Sequence, residues 1–356
     1  MTVTNESNGT PAGRRLLFIS VPRTASNLLL RIVNIPKQPN LHTTPKGGYF
    51  FYPAFIESTQ NGSLVDKPAD QWTAEDINAV KTSSQACLDS LEEYSSRAAQ
   101  NNQLMFTKEH AYWMFSPATR RKFITGLHDD KFFEAFRVNT PEKYGPKKYS
   151  RSNETMFSDE YLRSWQMVFI IRHPALAWPS MYRAMLKLGE SGVIDEDGVK
   201  GASVANMTFH WTRLLHDWCL EQLDVPVSAP VVDAHDLIHH PEIVLQLCEQ
   251  TGLDKSVVQF EWADKSEKKS LHWACHNSNA DPDEVKLHQQ AAGVMLSTLE
   301  SSAGIIKDKA PETIDIAAEA AKWRGEFGED VGTLIERCVR DSMSDYEYLK
   351  ARRITV

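Results

Sequence analysis

Cysteine is scarce in this chain and nowhere paired: Cys87, Cys219, Cys248, Cys275 and Cys338 are scattered, odd in number and without a CxxC. That argues against a disulfide framework and fits reduced thiols in a cytosolic protein. Long hydrophobic runs are missing too. Behind the polar segment MTVTNESNGTPAGRR the apolar stretch is only about six residues, too short for a signal-peptide core or a membrane span. Positive charge is in deficit, 39 Lys and Arg against 47 Asp and Glu, for a formal net charge of -8. A general nucleic-acid or membrane-surface binder needs a net basic face, so neither partner is expected, although a few arginines can still be focused in one pocket. The chain also lacks internal repeats, low-complexity blocks and a G-x-x-x-x-G-K-[ST] loop. These absences leave a soluble, cytoplasmic protein with a disordered tail over residues 1–13 and a single domain over 14–356.

What is present is an alternation of strands and helices. Four short, near-continuous apolar runs read as strands covered on both faces: RLLFISV (15–21), LMFT (104–107), MVFIIR (167–172) and APVVDA (229–234). Between them the apolar period is helical at 26–35 (stopped by Pro36), 73–100, 203–222 and 241–252, with Gly252 as a stop. Thr73, followed by Glu75 and Asp76, supplies a capped, acidic first turn. The pattern predicts an α/β fold: a doubly wound, mainly parallel sheet flanked by helices, with an α-helical cap over 264–320. Residues 128–160 are polar and rich in turn formers, and read as an insertion or mobile loop.

Three strand ends carry the chemistry. SVPRTASNLLLRIV (20–33) passes from strand to helix through Pro22, Arg23, Thr24, Ala25, Ser26, Asn27 and Leu28. Such a turn aims backbone N–H groups of 24–28, hydroxyls and a helix's positive end at one spot suited to phosphate or sulfate. Arg23 adds a permanent charge. Taken alone, the stretch also reads as an ordinary helix start capped by Ser26 or Asn27. In MFTKEHAYWMF (105–115), Lys108 and His110 follow a strand and, two apart, project from one face at the end where open α/β sheets place ligands. There a lysine stabilises charge and a neutral imidazole takes a proton; plain surface polarity is the alternative. In VFIIRHPALAWPSMYRA (168–184), Arg172 ends a strand and Ser180 lies eight residues on, in the first turn of the next helix. The two suit a second phosphate, unless the arginine merely caps a helix elsewhere.

The order and spacing of these stretches resemble the sulfotransferases that use 3′-phosphoadenosine 5′-phosphosulfate (PAPS), and most of all the fungal-type sulfotransferase-like proteins. The resemblance implies a P-loop-like fold, with Pro22, Arg23, Thr24 and Ser26 on the 5′-phosphosulfate and Ala25, Asn27 and Leu28 in the same cofactor loop. It implies Lys108 as a charge stabiliser with Arg23, His110 as the catalytic base, and Arg172 with Ser180 on the 3′-phosphate. VVDAHDLIHHPEIVLQLCEQTGL (231–253) and KWRGEFGED (322–330) are softer echoes of the family. The family's C-terminal Arg-Lys-Gly triplet is missing, leaving Arg324, Lys307 or Lys309 to substitute. Ala25 replaces the usual loop glycine, so the backbone must turn without positive φ or bear strain. Asn27 stands where threonine is usual, and Arg23 replaces a lysine.

The implied reaction moves a sulfonate group from PAPS, released as PAP, to a hydroxyl of a small acceptor, with no metal required. The aromatic runs GGYFFYPAF (47–55) and AYWMF (111–115) suit an apolar or aromatic acceptor, or else core packing. A second copy of the chain is the one protein partner left open. HWACH places His272 and His276 one helical turn apart around Cys275, but without the glutamate of H-E-x-x-H it reads as packing or surface. A repurposed or non-catalytic relative that only binds a nucleotide is the alternative function. A P-loop ATPase or kinase is disfavoured by the missing loop.

Overall fold

Neighbouring residues of each strand feed opposite cores, which is why the runs read as continuously apolar. The computed structural model describes residues 14–45, 47–59, 67–127, 130–192, 199, 205–222, 229–262, 293–296 and 302–355. Five strands, β1 (Arg15–Ser20), β2 (Leu41–His42), β3 (Leu104–His110), β4 (Gln166–Ile171) and β5 (Val231–Asp233), form one sheet in the order β2-β3-β1-β4-β5. Every pairing is parallel. Leu17, Ile19, Met105, Phe169 and Ile171 point to one core, and Leu16, Phe18, Phe106, Val168 and Ile170 to the other.

Twelve α-helices are described: α1 (Ser26–Ile32), α2 (Tyr52–Thr59), α3 (Ala74–Gln100), α4 (Pro117–Thr125), α5 (Asp130–Ala135), α6 (Asp159–Arg163), α7 (Pro174–Glu190), α8 (His210–Leu220), α9 (Ala234–His239), α10 (Ile243–Thr251), α11 (Ile316–Phe327) and α12 (Glu329–Lys350). Leu88 and Leu91 of α3, Trp178 of α7 and Val339 of α12 cover the first face. Leu29 of α1, Leu237 of α9 and Leu247 of α10 cover the second. Helices on both faces of a parallel sheet make the α/β, doubly wound fold that the alternation predicts. Thr73 closes a full capping box, its hydroxyl accepting from Asp76 N–H while the Asp76 carboxylate accepts from Thr73 N–H.

Boundaries moved where polar residues sit in strands. β3 runs three residues past the apolar LMFT, through Lys108, Glu109 and His110, because each of these finds a buried partner. β2 is two residues long, too short to leave a period. Between 136 and 158 the chain is irregular but tied down. Val138, Met156 and Phe157 are buried, and the Asp159 carboxylate accepts from Ser150, Asn153 and Trp218. The 264–320 segment expected as a cap lies outside the described residues up to 292, as does HWACH. Among the described residues no helix is long and apolar enough to cross a membrane.

Candidate active site

β1 is the middle strand, paired with β3 on one side and β4 on the other. Ser20, its last residue, stands level with His110 of β3 and Ile170 of β4. The three sequence stretches are therefore brought together at the carboxyl ends of neighbouring strands, the end where doubly wound sheets bind ligands. The turn out of β1 carries two left-handed L-residues, Arg23 (φ 70°) and Ala25 (φ 64°). Ala25 occupies the N-cap position of α1, and no side chain caps that helix. Neither Ser26 nor Asn27 thus serves as the cap; Asn27 Oδ1 instead accepts from Lys108 Nζ. Thr24 is buried, and its hydroxyl donates to the Val21 carbonyl at 2.7 Å.

Of the two options the sequence left at Ala25, the structure takes strain. An L-residue in this region costs about 1–2 kcal/mol, while glycine pays part of that back in unfolded-chain entropy. Ala25→Gly is expected to stabilise the protein by up to about 1 kcal/mol, read as a higher urea midpoint at unchanged slope. An unchanged or lower midpoint would show that the turn is not strained at Ala25.

Lys108 and His110 lie inside β3, fully or nearly buried, rather than on the surface beyond it. The Lys108 ammonium also sits 4.5 Å from the centre of the Tyr49 ring. Burial pushes it down to about 7, against the opposing pull of Glu109. His110 is pushed down to about 3, first by burial and then by the Lys108 charge, so the imidazole is neutral. Its Nδ1 lies 3.0 Å from Ser20 Oγ, and its ring meets Trp113 edge-on at 4.6 Å. Ser20 Oγ can accept from Nδ1–H, and in that tautomer Nε2 is the nitrogen free to take a proton. Glu109 is pushed up to about 8 by burial and accepts from Phe50 N–H at 2.7 Å.

Arg23, Arg172 and Ser180 form one cluster. Arg23 Nε donates to Ser180 Oγ at 3.0 Å and its terminal nitrogen to the Met295 carbonyl at 2.6 Å. Arg172 donates to the carbonyls of Arg23 (3.1 Å) and Lys309 (2.8 Å), and among the described residues its buried Nε has no hydrogen-bond partner. Ser180 therefore meets Arg23 rather than Arg172, from the second turn of α7 instead of the first. Burial lowers both guanidinium groups, Arg172 to about 10, where the neighbouring Arg23 charge adds to the effect. Among the described residues no carboxylate forms an ion pair with Lys108, Arg23 or Arg172. Three half- to fully buried cations held only by neutral groups are costly, and an anionic ligand removes that cost.

Arg324 does not join them. Its guanidinium donates to Glu329 at 3.0 Å and to Glu336 at 2.5 Å, on the α11–α12 hairpin. The Lys307–Lys309 turn does reach the cluster, but through the backbone carbonyl that Arg172 holds.

Ser20, Tyr49 and Gly48 were not singled out from the sequence. Ser20 could be found only by laying β1 and β3 in register. Tyr49 was one ring within GGYFFYPAF; its position over Lys108 and 5.1 Å from the His110 ring follows from a backbone rung. Lys108 N–H donates to the Gly47 carbonyl at 2.9 Å, and Tyr49 N–H to the Lys108 carbonyl at 2.8 Å.

No family model matches the chain. It is similar to the protein named sulfotransferase ppzF of Metarhizium rileyi (strain RCEF 4871), 33% identical over 357 residues and 96% of each chain. It is also similar to sulfotransferase ppzF of Metarhizium majus (strain ARSEF 297), 34% identical over 363 residues and 98% of each chain. A solved sulfotransferase domain from the Synechococcus PCC 7002 olefin synthase overlaps 85% of this chain and 89% of its own, at 15% identity and a TM-score of 0.34. At a third of positions identical over nearly the full length of both fungal proteins, the chain belongs to the sulfotransferase family.

Proposed function

We propose that the chain is a PAPS-dependent sulfotransferase acting on a hydroxyl of a small apolar or aromatic acceptor, with His110 as general base. The observation that carries the reading is the meeting of Lys108, Arg23 and Arg172 from three strand ends without a carboxylate among their described partners. Arg172, with its unpartnered Nε and the adjacent Arg23–Ser180 pair, suits the 3′-phosphate. Lys108 and the turn around Arg23 suit the phosphosulfate end. Bound there, PAPS supplies the sulfonate group and leaves as PAP.

His110 Nε2 takes the proton as the acceptor O–H bond breaks and the new S–O bond forms. Lys108 and Arg23 offset the negative charge that grows on the bridging phosphate oxygen as the old S–O bond breaks. Positioning and charge do most of the work, as in phosphoryl transfer. For the acceptor, the rings continue outward from His110. Trp113 packs on it, and half-buried Phe55 stacks on Trp113 at 5.6 Å with 26° between planes. Tyr52 meets the same indole at 5.3 Å. Such a wall favours a flat apolar alcohol over a charged one.

Calorimetric titration with PAP beside Mg-ATP tests the donor. PAP is expected to bind and Mg-ATP not, with Arg172→Ala weakening PAP by at least about tenfold. Affinity should fall as pH rises above 7, since Lys108 in the free protein loses its proton near pH 7 and only the charged form attracts the anion. Preference for Mg-ATP, or no PAP binding, overturns the reading.

A further inference from the structure

Beyond β5, helix α9 carries His235 and His239, one helical turn apart, so both rings share a face. Their centroids are 4.5 Å apart. Glu312, just after the Lys307–Lys309 turn, faces both: one carboxylate oxygen is 3.3 Å from His235 Nε2 and the other 3.9 Å from His239 Nδ1. One donor atom from each residue falls within 4.8 Å of the others. The proton positions suit a ligand. His239 Nε2 lies 2.6 Å from the Ala310 carbonyl, which only accepts, so the proton is on Nε2 and the Nδ1 lone pair is free. His235 Nδ1 lies 3.5 Å from Asp236, while its buried Nε2 makes no hydrogen bond among the described residues and has only the Glu312 carboxylate oxygen facing it. A carbonyl or carboxylate behind each ring is the arrangement that orients metal-binding histidines.

We propose that His235, His239 and Glu312 bind a divalent transition-metal ion, zinc by its donor set, with one coordination position left open. Two imidazoles and a carboxylate suit zinc and not magnesium or calcium, which take oxygen ligands. The ion acts as a fastener. It ties Glu312 to α9 across the same turn whose Lys309 carbonyl holds Arg172 and whose Ala310 carbonyl holds His239. Sequence spacing could not reveal the cluster, because its third member lies far along the chain from the histidine pair.

The test is titration of the full, chelator-treated chain with zinc alone, and no step of it depends on sulfonate transfer. One equivalent is expected to bind and to raise Tm, reversibly with chelator. Glu312 is largely exposed, so Glu312→Gln leaves the fold intact and is expected to weaken binding at least about tenfold. His235→Ala with His239→Ala should abolish it, with circular dichroism of the metal-free variant matching the parent. Cobalt substituted at the site should show d–d bands without a thiolate charge-transfer band, which separates it from any site using Cys275. No binding, binding undiminished in the variants, or a thiolate band would each overturn the assignment.

Discussion

His110→Ala is expected to lower kcat by about 1,000-fold, within the range of 100- to 10,000-fold for loss of a general base, which is about 4 kcal/mol of barrier. The Kd for PAP should stay within about threefold of the parent, because the imidazole is neutral and bonds Ser20 rather than the donor site. That split is the diagnostic feature. Lys108→Ala, by contrast, removes a cation that faces the ligand and should depress both turnover and PAP affinity. PAP binding by the His110 variant also reports that the protein is folded, which matters because the ring packs against Tyr49 and Trp113. Retained turnover would assign the proton to another group; lost turnover with lost PAP binding would make His110 structural.

The second large effect is expected at a residue with no side chain. Gly48 has φ 141°, and a Cβ built there would stand 2.2 Å from the Lys108 carbonyl oxygen and 2.3 Å from its nitrogen. Those are backbone atoms of β3, so nothing flexible can give way. Gly48→Ala is expected to destabilise by about 4 kcal/mol or more, or to prevent soluble expression, since either the GGY segment or the end of β3 must move. Any folded fraction should have lost turnover, because moving Lys108 separates it from Asn27 and Tyr49. Gly47→Ala is the control. It has φ 73° and its Cβ would meet only side chains, at 3.3 Å or more, so about 1–2 kcal/mol is expected. Equal, small effects at the two positions would mean that the Gly48–Lys108 approach is looser than described.

Where the structure departs from sequence expectation, some of the departures share one cause. Hydrophobicity stops at Thr107, the expected end of the second strand, although the strand continues through a lysine, a glutamate and a histidine that are all buried. Ser180, eight residues beyond Arg172 in the chain, is carried by the second turn of its helix to Arg23, whose carbonyl Arg172 holds. Arg324 looked available until two glutamates of the next helix took its guanidinium. In each case composition identified the residue, and burial or a distant partner determined what it does.

By itself the sequence determined the α/β class, four of the five strands and the residues at three strand ends, since periodicity and turn chemistry are local properties. Only the tertiary structure decided that Ser20 backs His110, that Ser180 and Met295 hold Arg23, that Tyr49 lies over Lys108, and that Glu312 faces His235 and His239. The contacts of Ser20 and Arg23 join residues 90, 157 and 272 positions apart. Which distant segments meet depends on how the sheet stacks its strands and on which buried polar groups must find partners, and no local pattern records that.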